Sequence, residues 1–329
     1  MLKFSLSLTF CLPQSAGTVP CQWQGAVHRC SLLVICRIAS YITSCDGGVK
    51  KVFIITRRQY CMIEIESNKQ AWGKISEEHY HHFKALLSDD DLHLNYYIQE
   101  ELGDISGKEI IHLQCNTGAD TLILAKTAKS VVGVDLVPDN IFFANKLAGD
   151  LNFKNVKFIE ADIMTLSKVH GEKYDIVFTS EGVLGWLPDL NVWANTIRSL
   201  LKDNGYLYVF DSHPFFLSFD ESKLDKEVFE IKYPYFSKIP SVDSSIGGYA
   251  CEPKDGVKSY FWMHTVSDII NSLTRAGLHI EYFNEHAENF YDSGNMQASS
   301  SKKGLYVYSC NRDKYPMSFS LKASAYPAK

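Results

Sequence analysis

Ile110-Ile111-His112-Leu113-Gln114-Cys115-Asn116-Thr117-Gly118-Ala119-Asp120 is the stretch on which the reading of this chain turns. Glu109–Gln114 is a short apolar run suited to a strand buried on both faces, and Gly118–Lys129 has helical character. A strand that passes into a helix through a glycine-bearing turn lets a ligand approach the backbone. The helix that follows presents unpaired N–H groups to a carboxylate or phosphate. One glycine at such a turn serves close packing as readily as ligand approach, so the neighbouring segments must decide.

Working outward, the same alternation repeats. Val131–Asp135 reads as a second buried strand. Pro138–Leu151 reads as a helix, with Pro at the position where a missing N–H costs nothing. Val156–Glu160, Tyr174–Thr179 and Tyr206–Asp211 read as three more strands. Leu190–Leu201 is a helix that stops before the turn Asp203-Asn204-Gly205. Strands and helices at this spacing imply βαβ units with a parallel sheet and right-handed crossovers. Phe216–Lys258 breaks the rhythm and reads as an insertion. It carries Tyr233, Tyr235, Phe236 and Tyr249, with Trp262 just beyond, and fits either an aromatic lid or a small core of its own. Val266–Ala276 is a helix closed by Gly277. His279–Glu285 and Leu305–Cys310 are expected to be the last two strands, and Ser318–Lys329 a loose tail. Ahead of the alternation, Ile63–Phe83 and Leu92–Leu102 are helical. The cluster His79, His81 and His82 reads as solvated helix histidines rather than a metal site, because no carboxylate or cysteine completes a ligand set.

Hydrophobic residues make up 46% and charged residues 22% of the 329, which excludes a disordered chain or a coiled-coil rod. The net charge of −5 argues against a general nucleic-acid binder, and no apolar run is long enough for a membrane span. The charge is uneven. Residues 1–61 hold seven Lys/Arg, one acid and six of the nine cysteines. Three readings fit this basic extension: a targeting segment, a cysteine-bridged module, or a poorly ordered leader with Met62 as the natural start. The last is preferred, because the segment lacks periodicity. The domain is then expected over 62–329 with its insertion at 216–258, and its few cysteines suggest a cytoplasmic home.

Asp135 closes the second strand, where an acid accepts hydrogen bonds from both hydroxyls of a ribose. That spacing alone fits NAD and S-adenosylmethionine equally, and it also fits an acid at a helix N-terminus. Two further signals follow. Asp162, in Glu160-Ala161-Asp162-Ile163, comes after the third strand, and Thr179-Ser180-Glu181-Gly182 comes after the fourth. Taken as an ordered set, Ile110–Gly118, Val131–Asp135, Phe158–Ile163, Tyr174–Gly182 and Leu200–Asp211 resemble the class I S-adenosylmethionine-dependent methyltransferases over about residues 70–311. The runs His112–Gly118, Ser180–Leu190 and Asp211–Phe215 are similar to an uncharacterised, small-molecule-type subgroup, in which Asn68 and Trp72 also fit a segment ahead of the domain.

The resemblance implies a doubly wound α/β fold with a seven-stranded, mostly parallel sheet and an antiparallel last strand. It also implies S-adenosylmethionine as cofactor and a methyltransferase acting by in-line displacement on a small molecule, with no nucleic acid and no membrane. Cofactor contacts are expected from Gln114, Cys115, Asn116, Gly118, Asp135, Leu136, Asp162, Ile163, Ser180 and Glu181. The family's first motif usually opens with an acid and carries three alternating glycines; here those positions are His112, Gln114, Asn116 and Gly118. Methyl transfer asks for alignment of the acceptor and, when it is protonated, one base. His213 is the first candidate for that base, then His264; Glu181 serves either as base or as partner of the methionine amino group. The rival readings are a non-catalytic cofactor-binding protein and, disfavoured by the missing G-x-G-x-x-G, a nicotinamide-dependent oxidoreductase.

Overall fold

The computed structural model describes residues 40–42, 53–55, 57–89, 92–247, 249–310 and 314–325. Most of the basic extension 1–61 lies outside them. Three helices come first: α1 (Arg57–Gly73), α2 (Ser76–Ser88) and α3 (Tyr96–Leu102). The expected alternation follows as β1 (Glu109–Leu113), α4 (Ala119–Ala125), β2 (Ser130–Asp135), α5 (Pro138–Asp150), β3 (Val156–Glu160), α6 (Ile163–Leu166), β4 (Tyr174–Ser180), α7 (Leu190–Leu200) and β5 (Leu201–Ser212). A hairpin of β6 (Ser241–Ile246) and β7 (Lys254–Phe261) lies in the insertion. Helix α8 (Val266–Arg275), β8 (Leu278–His286) and β9 (Ser318–Ala325) complete the fold.

The seven-stranded sheet runs in the order β8-β9-β5-β4-β1-β2-β3. Strands β5, β4, β1, β2 and β3 are parallel neighbours. Strand β9 runs antiparallel to both β5 and β8. The strand order reverses between β1 and β4, so the crevice beyond their carboxyl ends is the place where such a sheet binds ligands.

The parallel strands are apolar on both faces because both faces are covered. Ile111, Leu113, Val177 and Val209 pack with Trp193, Ile197 and Leu200 of α7 and Leu273 of α8. Ile110, Val131, Phe178 and Phe210 pack on the other side with Ile98 and Leu102 of α3. Local chemistry fixes the helix starts. Asp189 accepts from the Asn191 and Val192 N–H groups ahead of α7, and Thr265 with Asp268 forms a capping box on α8.

Two expectations are overturned at the end of the chain. Leu305–Cys310 is not a strand of the sheet; only Tyr306–Val307 pairs, with Gln297–Ala298. The seventh strand is Ser318–Ala325, inside the segment expected to be a tail. It is inserted between β5 and β8, with Phe319, Leu321 and Ala323 fully buried. Its serines face the other side, where Ser320 Oγ donates to Glu101 (2.8 Å) and Ser318 Oγ to the Glu288 carbonyl (2.6 Å). Local propensity favoured the aromatic-rich 305–310 stretch, whereas its Tyr308 is spent in a small cluster with Phe216, Phe219, Leu224, Tyr315 and Met317.

Among the described residues no helix is long and apolar enough to cross a membrane. Because β9 holds the sheet's interior together, removal of residues 318–329 is expected to abolish the cooperative thermal transition seen by circular dichroism. Phe319→Ala, which deletes a ring stacked on Phe283 at 4.9 Å, is expected to cost about 3–5 kcal/mol by urea denaturation.

Candidate active site

The chain leaves β1 through a turn in which alternate residues adopt left-handed backbone: Gln114 (φ 58°), Asn116 (φ 49°) and Gly118 (φ 82°). These are the three positions at which the resembling family carries glycine. Asn tolerates this conformation; Gln pays about 1–2 kcal/mol for it. Both side chains make local bonds that offset the strain. Gln114 Nε2 donates to the Val183 carbonyl (2.9 Å), and Asn116 Oδ1 accepts from Thr117 N–H (2.7 Å). At Gly118 a Cβ would stand 2.7 Å from the Phe158 ring and 3.1 Å from Ala144 Cβ, so this glycine is required by packing as well as by φ. Cys115 turns its thiol into the core beside Gly133 and Phe158, where burial raises its pKa.

Asp135, only 7% exposed, is held in place by that turn. Its Oδ2 accepts from Asn116 N–H (2.9 Å), and its Oδ1 accepts from Val137 N–H (2.9 Å) and from the Asn140 amide (3.1 Å). Burial raises its pKa in spite of these bonds. Leu136 beside it is half-buried. Asp162 Oδ1 caps α6 through Met164 N–H (2.8 Å), and Ile163 is buried behind it.

On the other side of the turn lies a group of acids. Ser180 Oγ donates to Asp120 Oδ2 (3.2 Å), and Asn95 Nδ2 donates to Glu181 Oε1 (2.6 Å). Asp211 accepts from the Val183 and Leu184 N–H groups (3.1 and 2.9 Å) and so fixes the segment after β4. Burial pushes Asp120 up to about 6. Burial, then the charges of Asp120 and Asp211, drive Glu181 well above the usual carboxylate range. Among the described residues no lysine or arginine forms an ion pair with Asp120, Asp135, Glu181 or Asp211. His112, standing where the family has an acid, bonds to Thr121 Oγ1 through Nδ1 (2.9 Å). Burial lowers its pKa to about 3, so it is neutral.

The two histidines expected near the chemistry differ in what they can do. His213 Nδ1 accepts from Phe215 N–H (3.1 Å), and its Nε2 lies 3.0 Å from Glu285 Oε1, so both ring nitrogens are engaged. His264 donates from Nε2 to the Leu187 carbonyl (2.8 Å), which leaves the Nδ1 lone pair. His264 lines a cavity of about 20 Å³ with Asp211, Ser212, Phe261 and Trp262.

The cover of the site comes from α1, α2 and the hairpin. Asn68 of α1 clamps the backbone of Tyr260 with two bonds, donating to its carbonyl (2.8 Å) and accepting from its N–H (2.7 Å). Trp72 meets Trp186 edge-on at 5.3 Å. Of the aromatic residues in the insertion, Tyr249 reaches the turn: its Oη is 3.2 Å from Asn116 Nδ2. Phe236 faces solvent, and Tyr235 Oη accepts from Val266 N–H (3.0 Å). The solvated reading of the histidine cluster holds for His81 and His82 and fails for His79, which is fully buried with its Nδ1 3.3 Å from Asn116 Nδ2. Helical phase, which places His79 one turn away from Phe83 on the inward side, was the available signal. Nothing in the sequence marked Asn95 or Asn140.

A carboxyl raised by burial destabilises the fold once it ionises. The folded protein binds more protons than the unfolded chain between the two pKa values, so stability falls as pH rises from about 4 to about 6. Asp120→Asn, which keeps an acceptor for Ser180, is therefore expected to raise Tm by a few degrees at pH 8. That gain should shrink as melts are repeated toward pH 4.

A family model described as "Methyltransferase domain" matches residues 104–239. An uncharacterized RNA methyltransferase of Caldanaerobacter subterraneus subsp. tengcongensis is 35% identical over 80 residues, 24% of this chain and 18% of that protein. A ubiquinone biosynthesis O-methyltransferase of Actinobacillus pleuropneumoniae is 26% identical over 130 residues, 38% of this chain and 54% of that protein. The chain thus spans about half or less of the length of these curated relatives. Among solved structures, a SAM-dependent methyltransferase from Methanosarcina mazei is 20% identical with a TM-score of 0.47, covering 72% of this chain and all of that one. One from Mesorhizobium loti is 17% identical with a TM-score of 0.45, covering 69% and 95%. Strands β1 to β5 and the turn at Gly118 all lie inside the residues that match the methyltransferase-domain model.

Proposed function

We propose that this domain transfers a methyl group from S-adenosylmethionine to a small-molecule acceptor by in-line displacement. The observation that carries the reading is a set of four carboxyls, Asp135 and Asp211 buried and Asp120 and Glu181 half-buried, gathered around a left-handed turn with no ion-pair partner from a lysine or arginine among the described residues. Buried charge without a partner is costly, and a ligand bearing a sulfonium and an ammonium relieves it. A nicotinamide dinucleotide would bring a pyrophosphate to the same acids and be repelled.

In this reading Asp135 takes the ribose hydroxyls and Asp162 the adenine amino group, flanked by Leu136 and Ile163. The turn residues Gln114, Cys115, Asn116 and Gly118 flank the methionine portion, and Ser180 and Glu181 meet its amino end. Bound there, the cofactor supplies an electrophilic methyl on a good leaving group. The protein aligns the acceptor, excludes water with the hairpin and α2, and accepts a proton when the acceptor carries one. For that last role His264 is favoured over His213, because its Nδ1 lone pair is open and burial keeps the ring neutral. A small acceptor is supported by the acidic balance of the domain, which lacks a basic stripe for nucleic acid, and an oxygen acceptor by the name of the Actinobacillus relative.

Calorimetric titration with S-adenosylhomocysteine tests the cofactor site. Binding is expected, with Asp135→Ala weakening it by roughly 10–100-fold through loss of a charge-assisted bond. No binding up to millimolar concentration would overturn the reading. Consumption of the methyl donor across a panel of metabolites then identifies the acceptor, and no consumption with any of them would favour a binding protein without catalysis.

A further inference from the structure

Asn116 stands at a glycine position of the turn, yet its side chain is fully employed. Its Oδ1 is committed to Thr117 N–H (2.7 Å), which orients the amide so that Nδ2 faces away from its own backbone. That Nδ2 lies 3.3 Å from His79 Nδ1 and 3.2 Å from Tyr249 Oη, and the last two atoms are 3.5 Å apart. His79 comes from α2 and Tyr249 from the segment after β6, so Asn116 is the point where the two covering elements meet. The His79 ring lies edge-on to Tyr249 at 5.0 Å and is neutral at physiological pH, burial having lowered it to about 4. Its Nδ1 is therefore a lasting acceptor.

The position of Tyr249 gives this contact its meaning. Its ring is half-exposed, but its hydroxyl sits against the turn, where burial and then the nearby charges of Asp120, Cys251, Glu181 and Asp135 raise its pKa. The hairpin is tied down along its length: near its base Ser67 Oγ donates to the Lys258 carbonyl (2.8 Å) and Asn68 clamps Tyr260, and beside the loop that carries Tyr249 Lys254 pairs with Glu78 (2.6 Å) and Ile246 packs on Ala71 and Ile75. Among the described residues, Tyr249 is held to the turn by the polar contacts at Asn116 and His79 and by ring packing against His79 and Phe83.

We propose that Asn116 is a positioning residue that latches Tyr249 and His79 over the cofactor turn, so that the cofactor enters and leaves only when this three-way contact opens. The inference rests on the reading of the groove as the cofactor site. A closed state that must open before binding reduces apparent affinity and association rate by the fraction of time spent open. Loosening the latch should therefore speed exchange.

Stopped-flow mixing of the full chain with S-adenosylhomocysteine, followed by tryptophan fluorescence, tests this. Trp72 lies 6.0 Å from His79 and is a suitable reporter. Tyr249→Phe, which removes one oxygen atom from a half-exposed ring, and Asn116→Gly are each expected to raise the association and dissociation rates roughly 3–10-fold. The double variant should be no faster than the faster single, because both break one contact. Should Asn116→Gly fold poorly, amide hydrogen exchange over residues 249–253 in Tyr249→Phe supplies the readout, with faster exchange than wild type expected. Unchanged rates and exchange in Tyr249→Phe, or single effects that multiply in the double variant, would overturn the latch. If the wild type binds no S-adenosylhomocysteine, the cofactor reading falls and the latch with it; if it binds with unaltered kinetics in the variants, only the latch falls.

Discussion

The constraint on which the site depends is conformational: the chain must pass from β1 into α4 with residues 114, 116 and 118 in left-handed backbone. That geometry is stitched to the neighbouring strand by two bonds, Cys115 N–H to the Val134 carbonyl (3.0 Å) and Asn116 N–H to Asp135 Oδ2 (2.9 Å). The turn therefore positions the acid, and the acid stiffens the turn. Glycine is the easy residue for such a backbone, but it has no side chain with which to brace it. Gln114 and Asn116 accept strain and return struts, one to the segment after β4 and one to the cover.

The parallel part of the fold was legible because strands covered on both faces must be continuously apolar, as in Val131–Asp135 and Ile110–Leu113, and because turns such as Asp203-Asn204-Gly205 punctuate them. Strand β9 was not legible for the complementary reason. One of its faces bonds to Glu101, His286 and Glu288, so Ser318 and Ser320 replace the apolar residues that would have announced a buried strand. A strand whose polar face is satisfied by distant partners carries no local signal. His79 was misjudged in the same way: a histidine triplet on a polar helix looks solvated until the hairpin folds back over one of the three.

The acids of the site were partly legible. Asp135, Asp162 and Glu181 stand at strand ends, where position alone suggests a role, and each has defined hydrogen-bond partners. Asp120 sat in the same stretch without a strand end to mark it. Its significance comes from burial and from the Ser180 hydroxyl, both products of the tertiary fold.

These observations bear on whether the atypical first motif marks a decayed site. His112 places a neutral side chain at the end of β1, while the carboxyls of Asp120 and Glu181 stand beside the turn, bonded to Ser180 and Asn95. The side chains at 114 and 116 each make specific bonds, so the left-handed backbone of the turn is held on residues other than glycine and braced by them.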